Sequence, residues 1–204
     1  RMDAMEVLDI AQRTLEHDPS RIYLTGHSMG GHGAWHLGVT YPGRFAAVGP
    51  SAGWLSRSSY TRRRNGDEEE TPMEALLNRG QKAGETVALA SNLKRRGVYI
   101  LHGGADDNVP AAQARQMVEV LEGFHHDWIY HEEPNQGHWW GNEYNDAGSA
   151  CVDWPFMFDR FAHHALAPSA AIREVEFATA NPGVSSEYHW VAIEGQMRHM
   201  DLSK

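Results

Sequence analysis

Residues 22–35 read IYLTGHSMGGHGAW, and the way this stretch folds decides the rest of the chain. Its opening residues, β-branched, aromatic and aliphatic, are those a buried strand prefers. Behind them Gly26, Gly30, Gly31 and Gly33 crowd around one polar residue, Ser28. A strand that breaks sharply into a helix through glycines, with a serine at the corner, belongs to a sheet whose crossovers are helical.

The flanking pattern agrees. Apolar Met5, Leu8, Ile10 and Leu15 predict a helix over 2–17, ended by Asp18-Pro19. A strand at 21–25 leads to a helix at 29–41, ended by Pro42, and then to a short strand at 45–49 (FAAVG). Residues 56–72 are polar without periodicity and read as a loop. A helix over 84–95 precedes the strand VYIL at 98–101, which stops at His102-Gly103-Gly104. Pro110 suits the first turn of a helix running to 122. A strand at 128–131 (WIYH), a polar loop over 132–150 and a helix over 153–166 complete the series. Strands alternating with helices predict the α/β class, with a mostly parallel sheet and helices on both faces. After Pro168 the pattern changes. IREVEFAT and HWVAIEG alternate apolar and polar residues as half-exposed antiparallel strands do. The expected organisation is an α/β domain over 1–167 and the start of a β-rich module over 168–204.

Composition narrows the function classes. The chain has 204 residues, 41% hydrophobic and 22% charged, with a net charge of −9, which is ordinary for a globular protein. No apolar run approaches the roughly 20 residues that cross a bilayer. Arg62-Arg63-Arg64 is offset at once by Asp67-Glu68-Glu69-Glu70, a solvated loop rather than the basic footprint that nucleic acid requires. The single cysteine, Cys151, excludes an internal disulfide framework and a thiolate-rich zinc site, but leaves the compartment open. The chain opens on Arg1, directly in a helical pattern, so the natural N-terminus is expected to be absent and the lack of a leader carries no information.

Gly26-His27-Ser28-Met29-Gly30 has the form G-x-S-x-G, in which a serine is held at the top of a sheet on a strained turn. Side chains two residues to either side of it are expected to clash with the adjoining strand and helix, and both positions are glycine. The helix that follows aims its first N–H groups at the corner, where negative charge can be stabilised. A serine hydroxyl is a weak nucleophile and needs a base, itself oriented by an acid. The loop after the third strand, LHGGADDNVP, supplies Asp106, and the loop after the last strand, EEPNQGHWWGN, supplies His138. Both loops open on the same sheet edge as Ser28, in the chain order Ser, Asp, His. Asp106 read alone is equally a turn aspartate. Trp139 and Trp140 either wall a substrate pocket or pack their loop onto the sheet. Trp35 and Trp154 read as core. His32 and His36 have helical i, i+4 spacing, but without the H-E-x-x-H pattern they do not read as a zinc site. His125-His126 and His163-His164 read as solvent histidines. No metal or cofactor is expected.

The stretches DPSRIYLTGHSMGGHGAW, YPGRFAAVGPSAGW, ILHGGADDNVPAAQARQM and GHWWGN resemble the α/β-hydrolase superfamily and, more narrowly, the catalytic domain of the prolyl oligopeptidase family and its esterase-like relatives. The likeness covers about residues 3–165. It implies Ser28 as nucleophile, Asp106 as acid from the H-G-x-x-D-x-x-V-P segment, and His138 as base. It also implies the Met29 backbone N–H as one oxyanion donor and Asn108 beside the pocket; His27, next to Ser28 in sequence, is a further pocket candidate. The family's sheet has about eight strands and this chain shows the later four. The earlier strands and the second oxyanion donor are therefore expected before Arg1, leaving the 21–25 strand as an open edge. A secreted or periplasmic location is what the resemblance favours. The expected function is a serine hydrolase working through an acyl-enzyme on a peptide, with a carboxylesterase acting on polysaccharide or polyester side groups as the alternative. A non-catalytic binding module on the same scaffold is the reading from another class.

Overall fold

The computed structural model describes residues 2–60, 71–141 and 149–204. The charged run Arg62–Glu70 lies outside them. The elements in chain order are α1 (Met2–Thr14), β1 (Tyr23–His27), α2 (Met29–Thr40), β2 (Ala47–Ser51), α3 (Arg57–Tyr60) and α4 (Pro72–Gln81). A 3₁₀ segment at Val87–Leu93 leads into β3 (Gly97–Gly103), α5 (Ala112–Glu122), β4 (Trp128–Glu133) and α6 (Pro155–Ala162). Two two-residue strands, β5 (Glu187–Tyr188) and β6 (Val191–Ala192), end the series.

β1 to β4 form a parallel sheet in sequence order. Helices lie on both faces, and the central strands β2 and β3, buried at every residue, are the ones that read as apolar runs. Along β3, Val98 and Ile100 face a core built with Val48, Trp35 of α2 and Met117 and Leu121 of α5. Tyr99 and Leu101 point the other way, to a second core with Ala47, Trp140, Cys151 and Met157 and Phe161 of α6. Strand parity thus sorts each residue to a face, and no polar side chain interrupts VYIL. Among the described residues no helix is long and apolar enough to cross a membrane.

Several expectations shift. β1 runs two residues later than predicted, so Gly26 and His27 are its last members. The expected 84–95 helix is a 3₁₀ segment over 87–93. α4 begins where a loop was expected to end: Thr71 caps Glu74 and Glu74 returns to the Thr71 backbone, with Pro72 in the first turn. IREVEFAT forms no ladder; its last residue, Thr179, makes one isolated bridge with Ser203. From HWVAIEG only Val191 and Ala192 pair, against Glu187 and Tyr188. This C-terminal stretch is held instead by side chains. Asn92, buried, donates to the carbonyls of Val39 (2.7 Å) and Ala178 (2.8 Å) and accepts the Ala178 amide (2.8 Å). Ser185 donates to Thr40 O (2.6 Å) and Arg96 to the Tyr188 hydroxyl (2.6 Å).

Two of the histidine pairs also differ from expectation. His125 is buried at 2% exposure and accepts the Asp127 amide. His164 bridges Arg160 O (2.8 Å) and the Asp127 carboxylate (2.9 Å). A turn brings one ring of each pair inward, which adjacency in sequence does not reveal; His126 and His163 stay exposed.

Candidate active site

β1 ends at His27, Ser28 turns the chain, and α2 starts at Met29. Ser28 has φ 57°, a left-handed value that a non-glycine residue holds at a cost of about 1–3 kcal/mol. The turn is pinned where the Ser28 amide donates to Ser51 O (2.9 Å) at the end of β2. A Cβ on Gly26 would lie 2.4 Å from the Gly30 carbonyl oxygen, so the backbone fits only with glycine there. The expected matching clash at Gly30 is absent: its Cβ direction is open. The second tight position is Gly31, where a Cβ would meet Ser51 O at 2.2 Å because α2 lies directly on β2.

Ser28, Asp106 and His138 come together on the C-terminal edge of the sheet. His138 Nε2 is 2.8 Å from Ser28 Oγ and its Nδ1 is 2.7 Å from Asp106 Oδ2. An ionised carboxylate only accepts, so Nδ1 carries the ring proton and Nε2 presents its lone pair to the Ser28 hydroxyl. His138 and Asp106 are both buried. Asp106 Oδ1 accepts the amides of Asn108 (3.0 Å) and Val109 (2.8 Å), which fixes the carboxylate plane. Burial alone would push this carboxyl up. Hydrogen bonds from His102, His138 and the Val109 amide outweigh it and hold it down at about 2.

The remaining expected residues fall into distinct places. The Met29 amide is the first of α2, has no carbonyl to bond within the helix, and lies at its positive end. Asn108 contributes through its backbone, while its side chain is exposed. Trp139 is 61% exposed and packs on His27 (ring centroids 4.2 Å apart) and edge-on to His138 (5.8 Å). Trp140 is buried in the core beneath α6, packing its loop onto the sheet. His27 sits between these rings, 4.8 Å from His138, and burial followed by the charge of His138 lowers it to about 4, so it is neutral at pH 7.

His32 stacks on Trp54 and reaches its carbonyl (2.9 Å), and among the described residues no cluster of three or more His, Cys, Asp or Glu side chains could hold a metal. Two residues were not anticipated. His102, at the end of β3, donates from Nε2 to Val109 O (2.8 Å) and lies 3.4 Å from Asp106 Oδ2, closing the turn that carries the acid. Ser51, at the end of β2, accepts the Ser28 amide on its carbonyl and meets His27 Nδ1 with its hydroxyl (3.0 Å). The histidine immediately before Gly103-Gly104 is the sequence signal for the first; a serine ending an apolar strand is the signal for the second.

The model of the prolyl oligopeptidase family matches residues 2–161. An uncharacterized secreted protein of Arthroderma benhamiae is 30% identical over 117 residues, 57% of this chain and 13% of that protein. Among solved structures, a thermostable esterase superposes with a TM-score of 0.55 at 18% identity, covering 80% of this chain and 36% of its own. The acylaminoacyl peptidase of Pyrococcus horikoshii superposes with a TM-score of 0.59 at 16% identity, covering 83% and 28%. At these identities the superpositions establish the fold. The chain spans about a third or less of the length of each of these three proteins.

Proposed function

We propose, from the premise that this chain belongs to the prolyl oligopeptidase family, that it carries the nucleophile, base and acid of a serine hydrolase acting on peptide bonds. The observation that carries this reading is the position of His138, bonded through Nε2 to Ser28 and through Nδ1 to Asp106. In the reaction Ser28 Oγ attacks the substrate carbonyl while its proton passes to His138 Nε2. The imidazolium so formed is stabilised by Asp106, which is already ionised and therefore does not compete for the proton. Charge on the carbonyl oxygen develops opposite the Met29 amide. His138 then gives its proton to the leaving group as the carbon–heteroatom bond breaks, leaving an acyl-Ser28 ester. Water, deprotonated by the same ring, attacks that ester and frees the serine. Trp139, exposed over His27 and His138, offers an apolar wall to the group beside the scissile bond.

The test is labelling of the purified full-length protein with a fluorescent fluorophosphonate, with Ser28→Ala as control. Ser28-dependent labelling is expected; its absence in folded protein rejects catalysis and favours a binding module on the same scaffold. A panel of proline-containing peptides against short-chain and aryl esters then reads the substrate. Turnover of esters with none of peptides makes the protein a carboxylesterase instead.

A further inference from the structure

Ser51 ends β2 directly opposite His27 at the end of β1 in the parallel register, so both side chains emerge on the sheet face that α6 covers. Ser51 is 1% exposed. Its hydroxyl lies 2.6 Å from the Cys151 carbonyl. A carbonyl can only accept, so the one hydroxyl proton is committed there. The 3.0 Å contact between Ser51 Oγ and His27 Nδ1 is then an Nδ1–H donating to the serine oxygen. This fixes the His27 tautomer: the proton is on Nδ1, and among the described residues the buried Nε2 meets no hydrogen-bond partner within 3.5 Å. The ring so anchored packs against His138 and Trp139. The same Ser51 accepts the Ser28 amide on its carbonyl, so one residue steadies the nucleophile through its backbone and the neighbour of the base through its side chain.

We infer that Ser51 and His27 are a positioning pair for His138, in which the bonds from His27 to Ser51 and from Ser51 to Cys151 O lock the His27 ring as a wall against the imidazole. The inference rests on the reading of His138 as the base. Asp106 at Nδ1 and Ser28 at Nε2 hold that imidazole along one line, and two bonds at opposite edges leave the ring free to rock about the line between them. Contact with His27 on its flank removes that freedom and keeps Nε2 on Ser28 Oγ. An uncharged wall suits both states of the cycle, since it packs against neutral His138 and does not repel the imidazolium.

The experiment compares wild type with Ser51→Ala, Ser51→Thr and His27→Phe, using p-nitrophenyl acetate hydrolysis and the far-downfield proton NMR signal of the His138–Asp106 hydrogen bond. Ser51→Ala is expected to lower kcat about tenfold with KM changed by less than about twofold, since misplacement of a catalytic group costs turnover rather than binding. The downfield signal broadens in the same variant. Ser51→Thr restores the hydroxyl, and with it both kcat and the signal. His27→Phe keeps a ring without the hydrogen bonds and behaves as Ser51→Ala; it also decides the question if Ser51→Ala does not fold. A folded Ser51→Ala with unchanged kcat and signal, or a loss that threonine does not recover, overturns the pair. If wild-type protein shows no Ser28-dependent turnover, the hydrolase reading fails, while the NMR comparison still decides whether the pair positions His138.

Discussion

Replacing Asp106 by asparagine probes the acid most directly. In wild type Oδ1 accepts the amides of Asn108 and Val109 and Oδ2 faces His138 Nδ1. The asparagine oxygen must keep the two backbone amides, so its NH₂ turns toward His138. The imidazole then has to present a bare Nδ1 and carry its proton on Nε2, where it can no longer accept from Ser28. A reversed tautomer of this kind lowers turnover by about 10³–10⁴-fold, or about 4–5.5 kcal/mol of transition-state stabilisation. The acid also contributes to folding. A carboxyl held at about 2 against an ordinary 3.8 gives the folded state about 2 kcal/mol of preference for its charged form. That stability is present above pH 4 and is lost as pH falls from about 4 through 2, and asparagine lacks it at every pH. Urea denaturation at stepped pH, paired with the rate of fluorophosphonate labelling, reads both effects. The stability gap between wild type and Asp106→Asn is expected to narrow by about 2 kcal/mol on acidification. A labelling loss below about tenfold, or a gap that does not change with pH, would refute the reasoning.

The elbow glycines separate by direction. Gly26→Ala drives a Cβ into the Gly30 carbonyl and is expected to abolish labelling and lower the urea midpoint, whereas Gly30→Ala, in open space within α2, leaves stability unchanged or up to about 1 kcal/mol higher. Trp139→Ala is expected to raise KM severalfold with little change in thermal midpoint, because the ring is mostly exposed and covers the site rather than the core. Asn92→Ala strands the carbonyls of Val39 and Ala178 and the Ala178 amide; a loss of about 3 kcal/mol and faster proteolysis within 171–180 are expected, read by denaturation and by mass spectrometry of the nicked chain.

The parts of the fold legible in the sequence were those set by local pattern and chain order. VYIL announced a strand covered on both sides, and the loops bearing Asp106 and His138 had to open on the edge that carries Ser28, since parallel strands all end there. The α4 helix has an equally local signal in Thr71-Pro72-Met73-Glu74, a reciprocal cap with proline in the first turn, which the polar run before it masks. IREVEFAT shows the opposite case: its alternation satisfies a strand pattern, yet a strand needs a neighbour, and the Asn92 side chain on Ala178 and Lys94 on Glu176 hold this stretch instead. Ser51 and His102 were hidden for a further reason. A buried hydroxyl or imidazole gains its role from partners some 100 residues away or across a turn, and no spacing rule encodes that.

The left-handed backbone at Ser28 has an evolutionary consequence. Glycine relieves that conformation and serine does not, so the proposed nucleophile stands against a thermodynamic pull. A descendant released from catalysis gains stability by the single step Ser28→Gly, with no need for a compensating change elsewhere. Serine at this corner is therefore what the proposed chemistry requires and what folding alone disfavours.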